Sequence, residues 1–224
     1  MGRRAGRGKS AGQGLTRKEQ QARTRSCLMR SAAKVFARRG LHQASIDDVT
    51  ADAGYTKGAF YANFDSKEDL FLAMLDERFE QRLEQIRRLM ASGDEVDSQA
   101  RAAGEEFAAF LAADPDWQRL FFEFAAHAAR NDAFRRELVK RYGTIREGIA
   151  EALARRANEL GLEMPVPAEQ IALMTFAMAN GFALERLLEP DAASEELFST
   201  MLVVFFAGLR ALGEQPVAGG GRRA

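Results

Sequence analysis

Thr56-Lys57-Gly58-Ala59 brings a hydroxyl, an ammonium group and a backbone without a side chain together within one short stretch. That chemistry suits a polyanion better than a reaction. A lysine at the start of a short helix can reach guanine acceptors or a phosphate. Thr56 can cap that helix and offer its hydroxyl to phosphate, Gly58 lets the backbone approach a duplex closely, and Ala59 can make only apolar contact, such as with a thymine methyl. Ser45 and Lys67 stand at the starts of two further helices, where side chain and free backbone amides together suit a phosphate. Nothing comparable supports catalysis. His42 and His127 are isolated, Cys27 is the single cysteine, and no Ser/His/Asp or Cys/His set, phosphate-cradling glycine loop or metal-ligand spacing occurs. The expectation is a protein that is not an enzyme and holds neither metal nor cofactor.

The charge distribution points the same way. Among 224 residues, 32 Lys and Arg balance 32 Asp and Glu. Residues 1–64, however, hold 13 basic residues against 4 acidic, and residues 65–224 hold 19 against 28. A basic head on an acidic body fits a protein of which one end faces a polyanion. Residues 1–20 are expected to form a disordered basic tail, and a solubilising tail would have the same composition. If the stretch from Arg3 to Arg25 adds salt-sensitive DNA affinity, deleting residues 2–14 flattens the dependence of log K on log salt. The expected change is about 0.9 for each phosphate no longer engaged, and an unchanged slope sinks the idea.

The elements that must position these residues are helical. Apolar residues make up 46% and charged residues 29%, a globular balance, and no alternating strand pattern appears. The five prolines, at 115, 165, 167, 190 and 216, all fit helix boundaries. A first helix is expected from about Thr24 to Arg39, with Leu28, Ala32, Val35 and Phe36 on one face and Gly40 closing it. Ser45-Ile46-Asp47-Asp48 is a capping-box signature opening a short helix stopped by Gly54. Thr56 caps a third helix, Lys57 to Phe64, and Ser66-Lys67-Glu68-Asp69 is a second capping box opening a long helix to about Met90. Three short helices with a Gly-containing turn before the third form a helix-turn-helix, whose second motif helix enters the major groove by its N-terminal residues.

Over residues 24–75 the chain resembles the DNA-binding region of the tetracycline-repressor (TetR) family of bacterial regulators. The resemblance is carried by Ala32-Ala33, Phe36, Gly40, Ser45, Ala53-Gly54, Lys57-Gly58, Tyr61, Phe64 and Lys67-Glu68-Asp69-Leu70. It implies that Tyr61 contacts the phosphate backbone. Asn63 stands where the family usually has histidine, and Ala62 where larger polar side chains are common. Asn63 can still hydrogen-bond a phosphate, but direct base readout is sparse, which shifts weight to DNA shape or the tail. The expected DNA contacts are Arg25, Ser45, Thr56, Lys57, Gly58, Ala59, Tyr61, Asn63 and Lys67.

The resemblance further implies an all-α architecture. The tail is followed by a DNA-binding domain over 21–66, a ligand-binding and dimerisation domain over 67–213, and a disordered end over 214–224. Such pockets are mostly apolar, so the expected lining is Phe110, Trp117, Phe121, Phe124, His127, Met174 and Met178, with Arg130 and Asn180 as further candidates. The same aromatic spacing fits simple core packing. The helix from about Glu195 to Leu212 is apolar nearly all round and must be buried on two sides. The family's two-fold dimer supplies the second side, through Phe182, Leu197, Met201, Val204, Phe205 and Gly208. A symmetric dimer implies a palindromic operator. The longest apolar run, Met201 to Leu209, is too short to span a bilayer, so the expected location is the cytoplasm without a membrane partner. The functional expectation is a transcriptional regulator that binds double-stranded DNA, a repressor released by a small apolar or aromatic effector. The alternative is an architectural or partner-regulated DNA-binding protein without a small-molecule ligand.

Overall fold

The computed structural model describes residues 16–214, and among them every regular element is a helix. These are α1 (Arg17–Gln43), α2 (Ile46–Ala53), α3 (Lys57–Tyr61), α4 (Lys67–Met90), α5 (Val96–Ala113), α6 (Pro115–Ala128), α7 (Asp132–Leu160), α8 (Ala168–Leu188) and α9 (Glu195–Gly213). The basic stretch through Lys9 and the end from residue 215 lie outside the described residues.

The expected tail over residues 1–20 is too long, because α1 begins seven residues before Thr24. Thr16 accepts from the Glu19 amide at 3.3 Å, and the Glu19 carboxylate accepts from the Thr16 amide at 2.7 Å. That exchange holds the Glu19 carboxyl below its ordinary range. The segment has no apolar stripe, but a complete capping box and good helix formers carry it into solvent. At the other end Gly40, at φ 71°, breaks the helix as its residue type requires, and one further turn runs to Gln43. Ser45 and Asp48 make the expected reciprocal cap of α2, and Gly54 ends it at φ 70°. α3 stops at Tyr61 rather than Phe64, tightening as the Asn63 amide donates to Phe60 O at 2.8 Å. Ser66 caps α4 through the Asp69 amide, but the Asp69 carboxylate reaches one residue further back, to the Asp65 amide at 3.1 Å.

One core joins the N-terminal head to the near end of the body. Leu28, Phe36, Val49, Phe60 and Phe64 from the head meet Leu70 and Phe71 of α4, Phe124 of α6 and Phe134 of α7. The Phe71 ring stacks on Phe124 at 3.5 Å and on Trp117 at 5.5 Å. Polar ties reinforce this junction. The Leu41 amide, beside the Gly40 break, donates to the Glu123 carboxylate of α6 at 2.6 Å. In the far body α5 and α9 pack so closely that a Cβ on Gly104 would lie 2.4 Å from the Ser199 Cα.

The faces of α9 differ in burial. Phe198 and Leu202 are buried, and the Phe198 ring sits 4.8 Å from Phe107 of α5. Leu197, Val204 and Leu212 face outward, Val204 at 65% exposed. Phe182, expected at the dimer interface, is instead 4% exposed in the subunit's own core, against Phe198 at 5.0 Å. α8 and α9 also contain 18-residue windows of mean hydropathy 1.3 and 1.5, long and apolar enough to cross a membrane by length and composition alone. The apolar run from Met201 to Leu209 understates them, because such windows tolerate polar residues and one or two charges.

Candidate nucleic-acid interface and effector pocket

The N-terminus of α3 presents the residues its capping requires. Thr56 is exposed and accepts from the Ala59 amide at 3.2 Å, as an N-cap does. Lys57 follows, exposed, its ammonium 2.8 Å from Asp47 of α2. That hydrogen-bonded carboxylate raises the lysine pKa. An exchangeable surface pair of this kind holds the lysine only weakly. Gly58 is exposed, and a Cβ there would meet only the Thr56 hydroxyl, at 3.7 Å. Nothing in the fold therefore demands glycine at this position. Ala59 is half-buried, whereas Tyr61 is 57% exposed with its ring edge-on to the buried Phe60. A large aromatic held outward on a packed base is free to meet another molecule. Ser45 is exposed too, although its hydroxyl serves the α2 cap.

The structure turns three of the nine expected contacts inward. The Arg25 guanidinium lies 4.3 Å over the Phe64 ring and donates to Asn63 O at 3.0 Å, fastening α1 to the end of α3. Asn63 donates its own amide to Ala59 O at 2.8 Å, and its Oδ1 is buried without a partner among the described residues. The Lys67 ammonium donates to Leu41 O at 2.8 Å and Ala44 O at 3.4 Å, filling carbonyls left open where α1 breaks. These side chains hold the reading helix in place. The presented set is Thr56, Lys57, Gly58 and Tyr61, with Ala59 and Ser45 beside them.

In the body a cavity of about 160 Å³ lies between α4, α5, α6, α7, α8 and α9. Phe110, Trp117, Phe121 and Asn180 line it, as the sequence indicates. The remaining candidates lie elsewhere. Phe124 is wholly buried in the shared core, where its ring is needed against Phe71. His127 stands at the head–body junction, 3.8 Å from Glu68 and with its ring 6.2 Å from that of His42. Met174, Met178 and Arg130 do not line the cavity, and Met178 packs instead into the α5/α8/α9 core.

The lining also contains two residues that periodicity passes over, Arg78 and Arg82, one turn apart on α4. They interrupt an apolar stripe that includes Leu75, Phe79 and Ile86, and a charge inside such a stripe is the signal that could have found them. Arg78 pairs with Asp114 and lies over Trp117 at 4.8 Å. Arg82 is 13% exposed, and burial pushes its pKa down to about 10. Its nearest carboxylate oxygen, Glu106 Oε2, is 3.8 Å away and has no hydrogen bond among the described residues, while the arginine's donors reach Ala103 O and Gln85. A second cavity of about 330 Å³ adjoins the first and shares Met90, Ala103, Leu153 and Phe206 with it. Among the described residues no group of three or more His, Cys, Asp or Glu is placed to hold a metal ion.

The chain is similar to known proteins in sequence and in fold. Residues 28–74 fit the family model of the bacterial regulatory proteins of the tetR family, and residues 96–210 fit that of the BetI-type transcriptional repressor C-terminal region. The chain is 29% identical to the HTH-type transcriptional regulator TtgR of Pseudomonas putida, over 78% of this chain and 85% of that one. It is 33% identical to the HTH-type transcriptional activator FasR of Mycolicibacterium smegmatis, but across only 44% of this chain and 45% of FasR. In fold it is similar to Salmonella enterica GusR, with a TM-score of 0.72 at 23% identity over 88% and 98% of the two chains. It is also similar to FadR of Bacillus subtilis, solved in complex with stearoyl-CoA, with a TM-score of 0.67 at 14% identity over 84% and 98%.

Proposed function

Because this chain belongs to the TetR family of bacterial DNA-binding transcriptional regulators, we propose that it is a homodimeric repressor, released from a palindromic operator by a small molecule held in the body. The observation that carries this reading is the continuity of α4. Its first turns are built into the head's core through Leu70 and Phe71, and its middle lines the cavity through Leu75, Arg78, Phe79 and Arg82. A molecule that fills the cavity bears on the element that sets the head. α6 provides a second route, with Trp117, Gln118 and Phe121 on the cavity and Glu123 holding the Leu41 amide. Such a ligand acts only through its differential affinity for the DNA-competent and DNA-incompetent arrangements.

The outward faces of α8 and α9 are assigned to the dimer. Leu184 and Leu188 of α8 and Leu197, Val204 and Leu212 of α9 are exposed, and Gly181 and Gly208 have open space around them. Phe205, partly buried, lies between Val204 and Phe206, whereas Met201, also expected at the interface, packs against the subunit's own α5/α8/α9 core. A two-fold copy covers this surface as a four-helix bundle and satisfies the helices' length and apolarity without a membrane. A two-fold dimer carries two copies of α3, so an operator with two half-sites is expected.

The test is recovery of sheared genomic DNA by the purified full-length chain, with sequencing, beside a Lys57→Ala/Tyr61→Ala double variant. A few palindromic sites, absent with the variant, are expected. Diffuse recovery that survives both substitutions overturns the reading.

A further inference from the structure

We infer that the effector is an apolar molecule bearing a carboxylate, received by Arg82 of α4 in the cavity and displacing Glu106 as that arginine's ion partner. The inference rests on the proposal that this cavity is the effector site, and it fixes the chemical class of the effector.

The cavity's charge has one sign. Among the described residues its lining includes two arginines and no aspartate or glutamate, and its other polar groups are the neutral Gln118, Thr175 and Asn180. The two arginines are not equivalent. Arg78 is closely paired with Asp114 and lies over two rings, Trp117 and Phe110. Arg82 is more deeply buried and more poorly matched. Its guanidinium lies 5.3 Å over the Phe107 ring, and two of its nitrogens donate, to Gln85 at 3.3 Å and Ala103 O at 3.1 Å. The Glu106 oxygen that offsets its charge stays 3.8 Å away, beyond hydrogen-bonding range, and is itself buried without a donor among the described residues. Buried guanidinium and carboxylate groups ordinarily close into a bidentate pair. Here the arginine is mostly buried beside an apolar cavity, and the one carboxylate oxygen that faces it lacks a donor, a poor match for a guanidinium held largely out of water.

A ligand carboxylate placed against Arg82 makes the missing hydrogen bonds, and Glu106, whose side chain is 42% exposed, can turn to water. A neutral ligand leaves the mismatch in place, and a cation meets two arginines without an acid. The size is also limiting. A volume of about 160 Å³ is close to that of an engineered cavity of roughly 150 Å³ that takes one benzene. A single ring with its carboxylate therefore fills the first cavity, and a longer chain extends past Met90 and Phe206 into the second.

Calorimetry on the full-length protein tests this with two matched pairs of probes, phenylacetate against phenylacetamide and octanoate against octanamide. For at least one pair the acid is expected to bind about 10-fold or more tighter than its amide, the usual worth of a hydrogen bond to a charged group. Arg82→Gln abolishes that preference. Glu106→Gln, which removes the competitor and keeps the arginine, widens it severalfold, so the inference can be judged even if the arginine variant folds poorly. Acids and amides binding alike in the wild type overturn the carboxylate and leave the cavity standing as the effector site. A preference that survives Arg82→Gln, or narrows in Glu106→Gln, overturns Arg82 as its receiver. Binding of neither pair overturns the carboxylate and the effector cavity together.

Discussion

The head and the body expose their function in opposite places. In the head the side chains offered to DNA stand on the surface of α3, and the side chains that hold α3 are different ones. Lys57 and Tyr61 point outward, whereas Phe60 and Phe64 are buried beneath them and Arg25, Asn63 and Lys67 tie the backbone from behind. In the body the cavity is lined by the side chains that also build the subunit. Trp117 stacks on Phe71 and Phe198 packs on α5 while both face the cavity. The head can therefore change its reading without changing its stability, and the body cannot change its ligand without repacking.

The largest expected effect tests whether the two regions are joined. Phe71 lies between them, its ring against Phe124, Trp117 and Phe134. Phe71→Ala is expected to cost about 3–5 kcal/mol, as truncation of a buried aromatic usually does. Because head and body share this core, a single denaturant transition should move as a whole, whether followed by tryptophan fluorescence or by far-ultraviolet circular dichroism. Two separated transitions would break the comparison, by showing that the head folds on its own.

The next test sharpens the head's separation of fold from function. A Cβ at Gly58 has room, so Gly58→Ala is expected to leave thermal stability unchanged or raise it, by up to about 1 kcal/mol from helix propensity. On the proposed reading the same methyl holds the backbone off the duplex. It is expected to lower affinity for recovered DNA about 10-fold or more, the scale on which one specific base contact discriminates. Fluorescence anisotropy and thermal melts on one preparation compare the two effects. A fall in stability and affinity together would mean that Gly58 serves the fold.

The same division governs what can be read from the sequence. Head signals are local. Ser45 with Asp48, Thr56 before Lys57, and the glycines at 40 and 54 each determine a cap or turn within a few residues; the structure places the caps and Gly54 as expected, while Gly40 breaks α1 one turn before its end at Gln43. The start of α1 escapes such a reading because apolar periodicity does not mark a helix in solvent. The cavity is a non-local property. Whether an aromatic faces free volume or another ring depends on how six helices are rotated about one another, so Phe121 and Phe124, three residues apart on α6, end in the cavity and in the core respectively. Arg82 breaks an apolar stripe in the sequence, but that it lines the cavity follows only from the packing of the helices around it. Phe182 falls in the subunit's own core for the same reason, since the phase of α8 is set by its packing on α7 and α6.

The smallest expected effect lies at the edge of the reading surface. Asp47 meets the Lys57 ammonium at 2.8 Å, and both side chains are mostly exposed. Solvent screening leaves such a pair weak, so it neither anchors the fold nor fixes the lysine firmly. Its consequence for binding is larger than for stability, because a carboxylate beside α3 opposes the phosphates that Lys57 is placed to meet. Asp47→Asn is expected to strengthen DNA binding about two- to fivefold while leaving the melting temperature unchanged, the corresponding range for a pair of that strength. The salt dependence of log K should steepen by up to about 0.9, one further phosphate engaged. If affinity falls instead, Asp47 is the residue that aims Lys57, and the head then positions its reading side chains by the same contacts that it presents, as the body does.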